Sequence, residues 1–483
     1  SVKELLGRLS FISHKGSLLT PVYDICIDSR HAKQGSLFIA ITGSITDGHR
    51  YIDTAIKNGA SSIICEFYPD DLLDDVTYVQ VADSSEMAGL LAHTFFDNPS
   101  QQLTLVGVTG TNGKTTIAYL LYDLFSRLGY TAGLISTIDY RIGSRSLGST
   151  HTTPNPIQLN RLLSDMVDHH CEYVFMEVSS HAIDQKRIAG LEFNAAIYTN
   201  LTHDHLDYHG DFKTYRDVKK SWFDNLPKSS VAVLNADDKH ADIMVQNSSA
   251  RVVRYGLNHL APYKIKIIDN GISGLHLLIN NVEMISQLRG AFNASNLGAV
   301  YACAIELDQD QDDVIRVMSE LKSVQGRFEI VSDQASEKWG VVDYAHTPDA
   351  LKNILTNVNL IKRTNVRLIT VVGCGGDRDR AKRPIMAKIA AQLSDEVILT
   401  SDNPRSEDPE LIIDDMMTGV NEEDNHKVSK ITDRSVAIKM AAKMAHNGDV
   451  IVIAGKGHED YQEINGVKLP FDDVKILKQA ILL

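Results

Sequence analysis

Thr104-Leu-Val-Gly-Val-Thr-Gly-Thr-Asn-Gly-Lys-Thr-Thr116 is the stretch that decides the fold. An apolar strand runs into a glycine-rich turn, and Lys114 and Thr115 then open a helix. Such a turn aims several backbone N–H groups at one point, and the helix adds its positive N-terminal end. Lys114 is placed to reach terminal phosphates, and the Thr115 hydroxyl suits Mg²⁺. Ile117, Leu120, Leu121, Leu124, Phe125 and Leu128 predict one apolar helix face, stopped by Gly129. The usual phosphate-loop pattern wants glycine at 108, where Val108 stands; glycines fall at 107 and 110 instead. The run predicts a nucleoside triphosphate site.

The chain has 483 residues, too many for one ordinary core, so two to four domains are expected. Hydrophobic residues at 43% and charged residues at 23% fit a soluble globular protein. No apolar run approaches the roughly 18 residues that a membrane span needs. Ser1-Val-Lys-Glu-Leu-Leu-Gly-Arg-Leu-Ser10 reads as a helix start, without the apolar centre of a secretory signal. Cys26, Cys65, Cys171, Cys303 and Cys374 lack metal-type spacing and are expected as incidental thiols in a reducing cytoplasm. A formal net charge of −14 argues against a nucleic-acid partner.

The expected class is α/β in three domains. A small N-terminal α/β domain (1–98) carries short strands such as Leu37–Ala40 and Ser62–Cys65, and Asn98-Pro99-Ser100 is a candidate hinge. A central P-loop-type parallel sheet (99–329) has strand candidates at Tyr173–Val178, Ala195–Thr199 and Val231–Leu234. A Rossmann-like C-terminal α/β domain (330–483) repeats the alternation at Gly340–Tyr344, Val366–Gly373, Glu396–Thr400 and Val450–Ala454. Ligands in such sheets bind beyond the carboxyl ends of the strands.

Glu177 ends one such strand, where a carboxylate can hold Mg²⁺ directly or through water. His203, His205, Asp207 and His209 resemble the ligand set of a dinuclear metal hydrolase, but Tyr208 breaks the spacing and a phosphate loop is foreign to that class. Tyr215, Val218 and Trp222 mark one face of a helix, and Lys219 lies along it while Lys220 points elsewhere. A semi-buried lysine tends to lose its charge. A neutral amine can add CO₂ and become a carbamate, an anionic metal ligand; a lysine that snorkels to solvent is the other reading.

Together these motifs resemble the Mur ligase family, ATP-dependent enzymes that extend the peptide of the bacterial cell-wall precursor. The resemblance runs nearly end to end. It rests on Gly110-Thr-Asn-Gly-Lys-Thr-Thr116, Glu177-Val-Ser-Ser-His181, Asp204-His-Leu-Asp207, Phe292-Asn-Ala-Ser-Asn296, Gly326-Arg-Phe-Glu329 and Asp343-Tyr-Ala-His-Thr-Pro348. Asp28-Ser-Arg30, Asp47-Gly-His49, Thr152-Thr-Pro154, Gly373–Asp379, Asp402-Asn-Pro-Arg405 and Gly455-Lys-Gly-His-Glu459 resemble the member that adds the third amino acid.

The resemblance implies roles. Gly110, Thr111, Asn112, Gly113, Lys114, Thr115 and Thr116 would serve the ATP phosphates, with Thr115 on one Mg²⁺. Glu177, His205 and a carbamylated Lys219 would organise a second metal. Asn293 would contact the base, with Arg327 and Asp343 near phosphate and ribose. A UDP-sugar would lie against Ile27, Ser29, Ser44, Ile45 and Thr46, and its muramoyl-peptide portion against His151, Thr152, Thr153, Ser179, Gln185 and Arg187. His151 stands where diaminopimelate-adding members often carry Asn.

The implied reaction is amide synthesis through an acyl phosphate on the side chain of D-glutamate in UDP-N-acetylmuramoyl-L-alanyl-D-glutamate. Charge selects the amine. The far end of meso-diaminopimelate carries an ammonium and a carboxylate, whereas that of lysine carries only an ammonium. Arg405 supplies a guanidinium suited to bidentate carboxylate binding. Arg378 can hold another carboxylate, Asp402 and Glu459 can take ammonium groups, and Asn403, Pro404 and Gly455 complete the expected pocket. Diaminopimelate is therefore expected, with L-lysine or another diamino acid as the alternative. A switch-type NTPase or binding module is the alternative of another class. The third glycine of a dinucleotide fingerprint would fall at Arg378, so that reading fails. Folylpolyglutamate synthases share the reaction logic, but the first segment and the Asp402–Arg405 loop differ from theirs. A cytoplasmic monomer is expected.

Overall fold

The computed structural model describes residues 1–43, 46–332 and 338–482. The strand Thr104–Thr109 sits inside an 11-stranded sheet, between Ala195–Tyr198 and Tyr173–Glu177. Counting it, seven neighbouring strands run parallel: Tyr263–Gly271, Arg251–Gly256, Val231–Asn235, Ala195–Tyr198, Thr104–Thr109, Tyr173–Glu177 and Ala132–Ile135. From Thr104–Thr109 the chain moves two places to Ala132–Ile135, returns through Tyr173–Glu177 and then crosses to Ala195–Tyr198. The crevice above Thr109 is thus the topological switch point, where ligands of open α/β sheets bind.

The helix Lys114–Arg127 follows the glycine turn, and Ile117, Leu120, Leu121, Leu124 and Phe125 are fully buried. This apolar stripe packs on one face of the sheet with Phe175 and the helix Ala291–Glu306. On the other face Tyr215, Trp222 and Phe223 of the helix Phe212–Asp224 pack with Leu105, Met176 and Tyr198. Val108 lies buried within the strand, so the phosphate turn does not need glycine there. The close approach comes at Gly110, with φ +146°, where a Cβ would stand 1.9 Å from the Thr199 hydroxyl.

Both edges of this sheet turn antiparallel, beyond the purely parallel pattern expected. Beyond Tyr263–Gly271, which joins Arg251–Gly256 in parallel, Gly274–Ile279 and Val282–Ser286 extend one edge, and Asp139–Ile142 with Arg145–Gly148 extends the other. These segments are half exposed and joined by tight turns. Asn280 and Asn281 both take positive φ, as a two-residue hairpin of this twist requires.

The N-terminal sheet has five strands in the order Ser13–Lys15, Thr77–Gln80, Ala60–Cys65, Ser36–Ile39, Asp24–Cys26. Ser1 caps the helix Val2–Leu6 that packs under it. Pro99–Gln102 is one turn of 3₁₀ helix, and Ser100 is buried against His93 Nε2 at 2.8 Å, which ties this connection down. The C-terminal sheet runs Glu329–Ser332, Trp339–Asp343, Val450–Ala454, Leu368–Val372, Glu396–Leu399, Val428–Lys430, parallel except for its first pair. All five cysteines are buried and free. No helix among the described residues is long and apolar enough to cross a membrane.

Candidate active site

A cavity of about 600 Å³ opens at the carboxyl end of Thr104–Thr109, and the third sheet closes it from above. Thr111–Thr116, Glu177, His205 and Lys219 line its floor; Arg327, Asp343 and Arg378 line its roof. The two halves touch. Asn112 Nδ2 donates to Asp349 Oδ2 (3.1 Å), and Arg327 Nη2 donates to Thr115 Oγ1 (3.1 Å).

The phosphate turn is held by its neighbours. Thr111 N donates to the Asn200 carbonyl, Asn112 N to Asn200 Oδ1, and Thr199 Oγ1 to the Asn112 carbonyl. Lys114 folds over the turn and donates to the carbonyls of Gly110 (2.9 Å) and Thr111 (2.8 Å). Burial lowers its pKa, while Glu177 and Asp204 pull the other way. Glu177 is buried at the strand end, accepting from Thr115 Oγ1 at 2.9 Å and from Thr137 N at 2.7 Å.

Lys219 is 1% exposed. Its Nζ reaches only the Gly110 carbonyl (3.2 Å) and Thr109 Oγ1 (3.4 Å), and it lies 4.9 Å from the Tyr215 ring. Burial drives its pKa well below the ordinary range, and the Lys114 charge adds to this. Among the described residues no carboxylate contacts this amine. His205 takes positive φ (+54°) at the start of the turn Leu206–His209, and the desolvating walls lower its pKa to about 3 against the pull of Asp204. Burial works against the Asp204 charge, but His205, His346 and Lys114 outweigh it and keep that pKa below the usual carboxylate range.

The four residues of the hydrolase-like set diverge. His203 and Asp207 are exposed, and His209 is buried against Ser180 Oγ at 3.0 Å. Among the described residues no three His, Cys, Asp or Glu side chains converge as a metal site. The oxygen-rich set of Thr115 and Glu177 nonetheless fits a hard cation such as Mg²⁺. A carbamate on Lys219 would add a further anionic oxygen donor.

Asn293 does not line the cavity. Its amide is buried, donating to the Arg289 carbonyl, and its Oδ1 accepts from Asn296 Nδ2. Phe292, Ser295 and Asn296 face the cavity instead, because the helix turns its 293 position inward. Asp343 ends its strand and accepts from Phe328 N at 2.6 Å; burial raises its pKa to about 6. His346, with a pKa lowered by burial to about 4, Asp204, Thr137 and Tyr344 also line the cavity. Motif reading passed over these four as individuals, although Asp204, Tyr344 and His346 stand inside quoted motifs.

His151, Thr152, Thr153, Ser179 and Arg187 form one wall. Arg187 Nη1 donates to the Thr153 carbonyl, and its Nε and Nη2 both donate to Gln185 Oε1. Gln185 stands behind this wall and donates to the Tyr208 hydroxyl. Ile27 follows the strand Asp24–Cys26, Ser29 opens a 3₁₀ turn and Thr46 lies in a loop, all outside the cavity; Ser44 and Ile45 lie outside the described residues.

A second cluster sits beyond Arg378. Asp402, Asn403 and Pro404 are buried, and Arg405 holds positive φ (+51°) with Nη1 donating to the Gly376 carbonyl at 2.8 Å. A Cβ on Gly455 would fall 2.5 Å from Asp402 Oδ2, so only glycine allows this approach. Asn403 Nδ2 donates to Glu459 Oε2 at 2.8 Å. The structure thus groups all seven residues expected around the amino acid, counting Arg378 at the junction with the cavity.

Three family models match the chain in succession: Mur ligase family, catalytic domain over residues 21–95; Mur ligase middle domain over 108–304; and Mur ligase, glutamate ligase domain over 326–457. The chain belongs to the Mur ligase family, a class of ATP-dependent amide ligases. It is 49% identical over 481 residues to the UDP-N-acetylmuramoyl-L-alanyl-D-glutamate–2,6-diaminopimelate ligase of Cytophaga hutchinsonii, covering 99% of each chain. The protein of that name from Bacteroides fragilis is 49% identical over 482 residues, covering 100% of this chain and 99% of its own. A solved structure with the same name superposes with a TM-score of 0.70 at 34% identity, covering 100% of this chain and 98% of that one. A folylpolyglutamate synthase from Thermotoga maritima shares the fold at a TM-score of 0.61 and 14% identity, over 77% of this chain and 90% of its own.

Proposed function

We propose that this ligase joins meso-2,6-diaminopimelate to the D-glutamyl side-chain carboxylate of UDP-N-acetylmuramoyl-L-alanyl-D-glutamate, consuming ATP. The carboxylate oxygen attacks the γ-phosphorus, giving ADP and an acyl phosphate. The amine of the amino acid then adds to the acyl carbon, and the tetrahedral adduct expels inorganic phosphate and loses a proton to leave the amide.

Bringing a carboxylate to a triphosphate is the difficult step, since like charges repel. Lys114 and Arg327 face each other across the cavity and supply two cations for the phosphates. Thr115 and Glu177 would hold Mg²⁺, with His205 and a carbamylated Lys219 around a second ion; the metal would neutralise charge that builds on the transferring group. The burial of Lys219, which disfavours its charged form, suits the carbamate, because amine plus CO₂ gives the carbamate and a proton only from the uncharged amine. The Arg187 wall would orient the muramoyl peptide, and Ile27, Ser29 and the 44–46 turn would hold the UDP end. We place the boundaries of the three functional units near 98 and 329, and expect a cytoplasmic monomer.

The observation that carries the choice of amino acid is the clustering of Arg405, whose Nε lies 3.5 Å from Glu463 Oε2, with Asp402 and Glu459 beside the cavity that Arg378 lines. It offers a carboxylate partner and ammonium acceptors together, which suits the zwitterionic end of diaminopimelate; nothing in the cluster favours lysine. The full-length likeness to proteins named for that amino acid supports the same choice. The test is a panel of amino acids assayed for phosphate release with ATP and the UDP-muramoyl dipeptide. Diaminopimelate should give the highest kcat/KM; equal use of L-lysine would overturn the choice.

A further inference from the structure

Lys456 is fully buried, yet no role in the reaction falls to it above. Its Nζ donates to Asn403 Oδ1 at 2.8 Å and to Glu459 Oε2 at 2.9 Å, and stands 3.9 Å from Asp402 Oδ1. It lies 5.4 Å from the centre of the Tyr461 ring. Lys456 therefore sits where two separate loops meet. One carries Asp402, Asn403 and Arg405; the other carries Gly455 and Glu459.

The arrangement divides the work of the Glu459 carboxylate. Oε2 accepts from both Lys456 and Asn403 Nδ2, which fixes the plane of the group. Among the described residues no donor reaches Oε1, which leaves it for an ammonium. Asn403 Oδ1 also accepts from Glu463 N (2.9 Å), and Arg405 N donates to the Glu463 carbonyl, so the hairpin Tyr461–Ile464/Val467–Pro470 braces the same loop. Lys456 is thus a buried cation set between two carboxylates, and its removal would leave buried charge uncompensated.

We propose that Lys456 is a positioning residue for the amino-acid substrate: it aligns Glu459 and Asn403 and ties the Arg405 loop to them, setting selectivity for a zwitterionic side-chain end. The inference rests on the diaminopimelate reading above. It assigns Lys456 no contact with ATP or with the UDP-linked substrate.

The test is three-substrate phosphate-release kinetics on the full chain with Lys456→Met, Glu459→Gln and the double variant. Formation of the acyl phosphate without amino acid, trapped as a hydroxamate with hydroxylamine, reports the intact first half-reaction. Lys456→Met should raise KM for diaminopimelate by about 30-fold or more. KM for ATP and for the UDP-muramoyl dipeptide, and the hydroxamate rate, should stay within about twofold. Because Lys456 acts in part through Glu459, the double variant should lose less than the two single losses combined. An unchanged KM for diaminopimelate, a rise in all three KM values together, or additive losses would each overturn the proposal. Should Lys456→Met fail to fold, Lys456→Gln, polar but uncharged and shorter, carries the same expectation, and a wild-type KM in it is equally fatal. Failure of the wild-type protein to couple diaminopimelate would instead overturn the proposed function.

Discussion

Arg327 donates from Nη2 to the Thr115 hydroxyl across 3.1 Å, while that hydroxyl donates to Glu177 Oε2 at 2.9 Å. A residue leading into the third sheet thus shares an atom with the phosphate turn of the second. The Arg327 guanidinium also lies over the Tyr344 ring, 4.3 Å from its centre, which fixes its plane. A group so oriented acts on charge that builds at the phosphate. Arg327→Ala should lower kcat by about 10²-fold or more, with less change in KM for ATP. Arg327→Lys should recover little, because ammonium lacks the planar fork. Wild-type kcat in either variant would refute this role.

Asp343 carries a conflict between folding and chemistry. Burial raises its folded pKa to about 6 from an ordinary 3.8. Between those values the folded chain binds more protons than the unfolded one, so stability falls as pH rises through this window and stays low above it. The deficit at pH 7.5 is at most about 3 kcal/mol, from about two pKa units at 1.36 kcal/mol each. Asp343→Asn can still accept from Phe328 N through its amide oxygen. Its Tm should exceed that of the wild type at pH 7.5, and the gain should shrink by pH 4.5, while KM for ATP rises. A Tm difference that ignores pH would contradict this origin.

Much of this site was legible because its residues stand in short motifs at strand ends. Lys114, Thr115 and Glu177 follow from a strand–turn–helix pattern and a strand terminus, and the helical spacing of Tyr215, Val218 and Trp222 put Lys219 on the buried face. Asn293 was harder. Asn293 and Asn296 are one helical turn apart, and only packing decides which reaches the cavity. Lys456 escaped notice for a different reason: within Gly455-Lys-Gly-His-Glu459 only Glu459 is a local partner, and Asn403, which completes its burial, comes from a separate loop. The antiparallel edge strands of the central sheet were missed because their half-exposed alternation is a weaker signal than a continuous apolar run.

Lys219 should carry CO₂ in the working protein. With ¹³C-bicarbonate at pH 8, a carbamate carbon resonance should appear in the wild type and vanish in Lys219→Ala. Acidification should release it, since protonated amine cannot hold CO₂. Lys219→Ala should lose about 10²-fold or more in kcat, and a small carboxylate added to the buffer should restore part of that loss. Full activity in Lys219→Ala, or no resonance in the wild type, would remove the carbamate from the account.

Arg405 allows selectivity and strain to be separated. Its positive φ costs a side-chain-bearing residue roughly 1 kcal/mol that glycine avoids. Arg405→Gly should therefore be more stable than Arg405→Ala by about that amount. Both should lose most of the preference for diaminopimelate over lysine, by about 30-fold or more in the ratio of kcat/KM values. A preference that survives in both variants would show that the guanidinium does not read the carboxylate.

The central claim, that cations at the switch point of the middle sheet let a carboxylate take a phosphoryl group from ATP, is tested most directly by phosphate release with ATP, UDP-N-acetylmuramoyl-L-alanyl-D-glutamate and meso-diaminopimelate together. The wild type should release phosphate only when all three are present and form one amide per phosphate, and Lys114→Ala should release almost none. Phosphate release that proceeds at the same rate without the two co-substrates, or that survives in Lys114→Ala, would contradict it.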